Sequence, residues 1–391
     1  MNPGPTEEGL STLQHVRGMR DEFVDFVSAL CLVESPTDQP LTQSSVHALL
    51  EPAFTDLGFD VRVVNGRQSG NHLLVTPKRR SKRGPRQLLI GHSDTVWPLG
   101  TLEQMPVHVR DGKLFGPGTL DMKGGLSLIV FALRALRDLG LEPDVAPFIF
   151  VNSDEEVGSP DSRKHVQRLA RVSNRAFVVE PALGPSGLIK TARKGLGRFD
   201  IIVRGRAAHA GLDPEAGASA IVELSHVIQS LDRLNDPEHG ITVNVGLIGG
   251  GTRPNVIAAR ATASVDVRVE SLEDGRRIEE KVRGIRPVTP DVTIEVTGGV
   301  RVAPLERTPR NVALWEQALR CGAELGFELD HGLAGGGSDG NTTSLYTATL
   351  DGLGCVGDGA HADHEHIVID ASLDRCALLA RLMLAPPSNR S

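Results

Sequence analysis

The sequence holds only four cysteines in 391 residues, Cys31, Cys321, Cys355 and Cys376, and none forms a CxxC pair. Cysteines so few and so widely spread do not make a disulfide framework, and they offer no thiolate cage for a metal. A reducing compartment follows, and a cytoplasmic location is expected. No run of 18 or more apolar residues occurs, so no membrane-spanning helix is expected. The opening MNPGPTEEGL has no basic region followed by an apolar stretch, so no secretory signal is read. Positive charge is not in excess. Lys plus Arg number 42 against 49 Asp plus Glu, a net charge of −7, which argues against nucleic acid as the main partner. The single basic run, KRRSKRGPR at 78–86, sits among Gly, Pro and Ser and reads as a solvated loop. The phosphate-cradling P-loop pattern is missing. So are fixed-period repeats and low-complexity tracts. What is present is an ordinary globular composition, 40% apolar and 23% charged, in a chain long enough for two or three domains.

The pattern along the chain predicts two architectures. MRDEFVDFVSALCLVES (19–35) has helical apolar spacing and stops at Ser35-Pro36, and a second helix is expected over 41–57. FDVRVV and NHLLVTP read as strands. QLLIGH (87–92), APFIFVNS (146–153) and AFVVEPA (176–182) are short and mostly apolar, as buried parallel strands are. Helical stretches, KGGLSLIVFALRALRDLG and SRKHVQRLARVS, separate them. This alternation predicts an α/β domain with a mixed, mostly parallel sheet flanked by helices. The character changes near residue 192. GRFDIIVRGRA, a helix over ASAIVELSHVIQSLDRL, two alternating strands, a helix at RRIEEKVRGI and the strand VTIEVTG follow in the split βαβ order of a small α+β domain. After it come a helix over 311–325, the Gly-rich loop AGGGSDGN, a short strand near LGCVG and a final helix, DRCALLARLML. The expected domains are thus 1–191 with 303–391, interrupted by 192–302.

Acidic residues and histidines gather where these strands end. His92 and Asp94 follow QLLIG, Asp121 precedes a helix, Asp154, Glu155 and Glu156 follow FIFVNS, and Glu180 ends AFVVE. Successive groups lie roughly 30 residues apart, the length of one crossover unit. The carboxyl ends of parallel strands share one crevice. Carboxylates packed there repel one another, and a divalent cation removes that cost. Two histidines and three carboxylates, one of them shared, can hold two zinc ions about 3.5–4 Å apart, each with an open position. The second histidine must come from His331, His361, His364 or His366. His361 is favoured because it too follows an expected strand.

The sequence resembles the dizinc amidohydrolase and exopeptidase family, which includes acetylornithine deacetylase, succinyl-diaminopimelate desuccinylase, aminoacylase and glutamate carboxypeptidase. The resemblance is carried by GHSDTVWPLG (91–100), GPGTLDMKGG (116–125), SDEEVGS (153–159), VVEPA (178–182), GRAAHAG (205–211), GGGTRPNVIAARATASVDVR (249–268), GGGSDGN (335–341) and GDGAHADHEHI (357–367), in family order. It implies two Zn2+ ions, with Co2+ or Mn2+ as substitutes. His92, Asp121 and Glu180 would hold one, and Asp121, Glu156 and His361 the other. Asp94 would orient His92, and Glu155 would be the general base toward metal-activated water. A cis peptide at Asp121–Met122 is implied as well. His209 would stabilise the oxyanion, reaching the site from the partner subunit of a homodimer, and the inserted domain would serve as dimerisation or lid domain. Asn255 and Arg268 match substrate-contact positions, and Arg253 could grip a substrate carboxylate by its planar fork.

The implied reaction is cleavage of an amide bond in a small peptide or N-acyl amino acid, with neither nucleic acid nor membrane involved. Arg253 and the TARKGLGRF and GRAAHAG context tilt the expectation toward a glutamate-carboxypeptidase-like enzyme over an N-acyl amino acid deacylase. Three rivals remain at this level. Gly336-Gly337-Ser338-Asp339-Gly340 fits GxSxG, the serine nucleophile elbow. His92-x-Asp94 with His361 could form a facial triad for non-haem iron. A degenerate, non-catalytic homologue is the third.

Overall fold

The computed structural model describes residues 4–79, 81 and 84–387, so Arg80, Lys82 and Arg83 of the basic run lie outside the described residues. The chain divides into two compact units. One comprises residues 1–191, 307–334 and 338–391, and the other residues 192–306 and 335–337.

The first unit is built on a six-stranded sheet. Its order is Phe59–Val64, His72–Pro77, Ala146–Asn152, Arg86–His92, Arg175–Val178 and Ala348–Leu350. The last four run parallel, and the first two form an antiparallel hairpin at one edge. Every residue of Gln87–His92 and Pro147–Asn152 is buried, as parallel strands covered on both faces require. Successive side chains alternate between two cores. Leu89, Ile149, Val151 and Phe177 join the helices Arg20–Cys31, Gly124–Asp138 and Ile369–Leu384. Leu88, Ile90, Phe150, Ala176 and Val178 pack on Val166 and Ala170 of the helix Arg163–Val172. His92 aligns with Asn152 across the central pair, which places the ends of two parallel strands at one level.

The second unit is an antiparallel sheet in the order Thr242–Gly250, Arg260–Val269, Gly195–Arg204, Thr293–Val302. The helices Ala220–Asp232 and Leu272–Arg283 complete the β-α-β-β-α-β order. Buried positions alternate strictly along Arg260–Val269, since only one sheet face meets the helices.

Three local expectations are corrected. The N-terminus carries two helices, Glu7–Gly18 and Arg20–Cys31, the first capped by the Thr6 hydroxyl. The strand expected near LGCVG is Ala348–Leu350. Residues 353–356 only trail from it, and Gly357–Asp358 instead pairs antiparallel with His366–Val368 in a separate small sheet. The Gly-rich loop closes into a short helix, Asp339–Thr343, with a capping box between Ser338 and Asn341. Among the described residues no helix is long and apolar enough to cross a membrane.

Candidate metal centre

Each residue of the cluster is delivered by a feature of the backbone. His92 ends its strand, Glu155 and Glu156 form a 3-10 turn three residues after Asn152, and Glu180 lies two residues past Val178. Asp121 sits in the segment before the helix Gly124–Asp138, and the Asp121–Met122 peptide is cis. This segment comes close to the strand ends because the helix starts on glycines. A Cβ on Gly125 would stand 2.1 Å from the Val179 carbonyl oxygen. His361 takes a φ of 61°, in the left-handed region where only a few non-glycine residues sit.

The side chains fall into two groups of three that share Asp121. His92, Asp121 and Glu180 form one, and Asp121, Glu156 and His361 the other, with the potential ligand atoms of each group within 4.8 Å of one another. The His92 Nδ1–H donates to the Asp94 carbonyl oxygen at 2.9 Å. That assigns the Nε2 lone pair to the cluster, 3.2 Å from Asp121 Oδ1 and 3.6 Å from Glu180 Oε1. His361 Nε2 lies 3.3 Å from both Asp121 Oδ2 and Glu156 Oε2. Glu156 Oε1 is buried with no hydrogen-bond partner. Lone pairs converging on lone pairs, with one buried oxygen unsatisfied, make an arrangement that a divalent cation completes. Two imidazole nitrogens and three carboxylates match the hard and borderline donors zinc takes, and they would supply three protein donors to each of two ions.

Without a cation, protons carry the balance. His361 is pushed up to about 10 by its hydrogen bonds to Asp121 and Glu156. Burial opposes charge on His92, yet Asp121 and Asp94 hold it well above the usual imidazole range. The Glu155 carboxyl is raised well above the ordinary range by burial and by the neighbouring Glu180.

Around the cluster, Asp94 does more than orient His92. Its carboxylate is 3.5 Å from His92 Nδ1, accepts the N–H groups of Glu155 and Glu156 at 3.3 and 3.2 Å, and takes the Thr37 hydroxyl at 2.9 Å. It therefore fixes the turn bearing both glutamates. Because it faces Nδ1 and not Nε2, it cannot join His361 around one ion, which removes the facial-triad reading. Ser338 is extended (φ −162°, ψ −178°), gives its hydroxyl to Asp351 and caps the helix at Gly340 N. That is a helix start, not a strained nucleophile elbow. The other C-terminal histidines are engaged elsewhere. His331 packs on Trp315 and binds the Thr191 hydroxyl, His364 is exposed beside Asp363, and His366 packs on Phe115.

One residue escaped the sequence reading. Glu365 is 1% exposed and accepts four N–H groups. Oε1 takes those of Leu120 and Asp121 at 2.9 and 3.0 Å, and Oε2 takes those of Gly118 and Trp97 Nε1 at 2.9 and 2.7 Å. It moors the segment carrying the shared Asp121. Burial pushes its carboxyl up to about 7, against the pull of these four donors. Its signal was its place in GDGAHADHEHI, four residues after His361.

The remaining candidates belong to the second unit. His209 is exposed, and its Nδ1 accepts the N–H groups of Gly211 and Leu212 at 3.2 and 3.1 Å, which leaves Nε2 carrying a proton to donate. Arg253 and Asn255 are exposed in the turn before Arg260. Arg268 is paired with Asp266 at 2.8 Å, so part of its guanidinium is committed within its own strand.

Residues 191–287 match the family model for a peptidase dimerisation domain. The chain is 29% identical over 350 residues to carboxypeptidase G2 of a Pseudomonas species (strain RS-16), covering 86% of this chain and 82% of that protein. The fold matches aminopeptidase PepT of Bacillus cereus with a TM-score of 0.75 at 22% identity, over 95% of this chain and 98% of that one. It matches the Bacillus subtilis YxeP protein, a dinuclear metal-binding peptidase, with a TM-score of 0.68 at 15% identity, over 94% and 98% of the two chains. These similarities all point to the M20 peptidase family. This is the dizinc amidohydrolase and exopeptidase family that the eight motifs resemble, and the homologues and structural neighbours indicate a hydrolytic enzyme. The mixed α/β domain with its mostly parallel sheet, accompanied by a dimerisation domain, is the M20 fold.

Proposed function

We propose that the protein is a two-zinc amide hydrolase that releases a C-terminal amino acid, with glutamate as the first substrate to test. The observation that carries this reading is the pair of three-residue groups sharing Asp121, each able to hold one ion. The 29% identity to carboxypeptidase G2 supports the carboxypeptidase direction. The dinuclear metal binding of the YxeP protein supports the ion count. Bound ions would supply Lewis acidity toward the scissile carbonyl and bring the pKa of water down toward ~7.

The chain's own groups do the rest. Glu155 takes the proton of the attacking water and returns it to the leaving amine, so one carboxylate serves both halves of the reaction. Its half-buried setting beside Glu180 favours holding that proton between the two transfers. Asp94 keeps Glu155 and Glu156 in place through their backbone N–H groups. His209, from a second copy of this chain, donates Nε2–H to the oxyanion. Arg253 receives the terminal carboxylate by its planar fork, with Asn255 and Arg268 as further substrate contacts.

A homodimer through the second unit is supported by its apolar surface. Leu247 and Ile248 on the edge strand are 69% and 68% exposed, and Ile221 and Val222 on the helix Ala220–Asp232 are exposed too. The decisive experiment supplies zinc-loaded protein with C-terminal-glutamate dipeptides and N-acyl amino acids in parallel. Release of glutamate from the dipeptides supports the carboxypeptidase reading. Hydrolysis of the N-acyl amino acids alone replaces it with deacylation.

A further inference from the structure

A cavity of about 400 Å³ opens beside Glu156 within the first unit, in the size range of small-molecule sites. Its walls include Pro36, Val96, Pro98, Val157 and Pro160, and Glu156 itself forms part of them. Val96 and Val157 are 41% and 62% exposed, an apolar surface left open next to the cluster.

The charge of the cavity is one-sided. Asp38, Asp154 and Glu156 line it, and no Lys, Arg or His is among the described residues that do. Two of its hydroxyl donors, Thr37 and Ser69, are already committed. Thr37 gives its hydroxyl to Asp94, and Ser69 gives its own to Gly70 and Asp161. The Arg67, Gln68 and Ser69 backbone N–H groups also go to Asp161. Asp154 spends Oδ2 on the Asp161 and Ser162 N–H groups, and its Oδ1 is buried without a partner. A second carboxylate placed here would lie beside Asp38 and Asp154 with no Lys, Arg or His side chain of the lining to pair with it. The candidate grip for a substrate carboxylate, Arg253, belongs to the second unit.

We propose that this cavity is the acyl-side specificity pocket, and that it accepts an uncharged, apolar group from the half of the substrate that becomes the new carboxylic acid. The inference rests on the amide-hydrolase reading above and adds the substrate class. Glutamate is released from behind an apolar acyl group, and acids behind the scissile bond are rejected. Discrimination arises because burying the apolar chain is favourable while burying a second carboxylate beside Asp38 and Asp154 is not.

Two measurements on zinc-loaded full-length protein test it. The first is hydrolysis of three glutamate amides carrying 4-methylpentanoyl, succinyl or 4-aminobutanoyl acyl groups. The expected kcat/KM for the apolar acyl group exceeds the other two by at least about tenfold. In Val157→Lys the ratio of the apolar to the succinyl substrate falls by at least about tenfold. As a ratio within one variant, it is insensitive to how much protein is folded. The second is calorimetric binding of 4-methylpentanoate, succinate and 4-aminobutanoate, which needs no turnover. Tighter binding of 4-methylpentanoate, weakened by Val157→Lys, supports the pocket even if no glutamate amide is cleaved, in which case only the hydrolase assignment fails. A preference for succinyl or 4-aminobutanoyl groups overturns the proposal. So does 4-methylpentanoate binding that Val157→Lys leaves unchanged.

Discussion

Replacing Glu365 by Gln should weaken the metal centre without replacing a single candidate ligand. The carboxylate accepts two N–H groups on each oxygen, from Leu120 and Asp121 on one and Gly118 and Trp97 on the other. An amide in its place keeps one acceptor and turns an NH2 toward the other pair, whichever way it is flipped. Two buried N–H donors then face a donor. At about 1–3 kcal/mol for each stranded group, partly relieved by relaxation, the segment loses about 2–4 kcal/mol. Asp121 is held at its own N–H by Glu365, so part of that loss appears as misplacement of the one carboxylate common to both groups. Residues that orient ligands typically affect metal affinity by about 10–100-fold. The assay is zinc affinity by chelator competition, with thermal unfolding of metal-free and metal-loaded protein beside it. The expected outcome is a zinc Kd raised by at least about tenfold and a smaller stabilisation by zinc. If Glu365→Gln lowers the unfolding temperature of the metal-free protein and leaves the zinc Kd unchanged, the residue is structural and the reasoning is wrong.

Three further outcomes are expected. Glu155→Gln should keep its metal content and lose about 10²–10⁴ in kcat, read by elemental analysis and steady-state kinetics, and full activity in that variant would remove Glu155 as general base. Asp161 is held down to about 2 by the backbone N–H groups of Gln68, Ser69 and Arg67, against about 3.9 in an unfolded chain. Its ionised form therefore adds stability above about pH 4, screened to about 1 kcal/mol at this partly exposed site, and that contribution disappears as pH falls from about 4 toward 2. The stability gap between wild type and Asp161→Asn in urea titrations should shrink over that window, and a pH-independent gap would contradict the account. Arg175 is fully buried and donates to Gln87, Gln317 and the carbonyls of Ala385 and Pro386. Arg175→Met should cost at least about 3 kcal/mol in the same titrations, because it strands these acceptors, and a loss below about 1 kcal/mol would show that the C-terminal segment repacks freely.

The architecture was legible where hydrophobic pattern alone decides structure. QLLIGH and APFIFVNS are mostly apolar and lack alternation because both faces of their strands are covered, and ATASVDVRV alternates because only one face is. The helix Glu7–Gly18 was harder to see. Its buried face is made by Gly9, Thr12, Leu13 and Val16, too few apolar residues to mark a period, although Thr6 followed by Glu7 and Glu8 spells a helix start. The strand sought near LGCVG lies earlier, at Ala348–Leu350, because a three-residue buried strand carries almost no periodicity. In the cluster, the sequence carries positions but not contacts. His92, Glu156 and Glu180 stand at or just after strand ends, whereas the mooring of the Asp121 segment by Glu365 joins residues more than 240 positions apart. No local pattern records such a contact.

The central claim is that Asp121 is common to two cation sites. Elemental analysis of dialysed wild type and Asp121→Asn, each re-equilibrated with zinc, addresses it directly. Two zinc ions per wild-type chain, and loss of both in the variant, is the predicted result. A wild-type chain that takes up none, or an Asp121→Asn chain that still holds two, would contradict it.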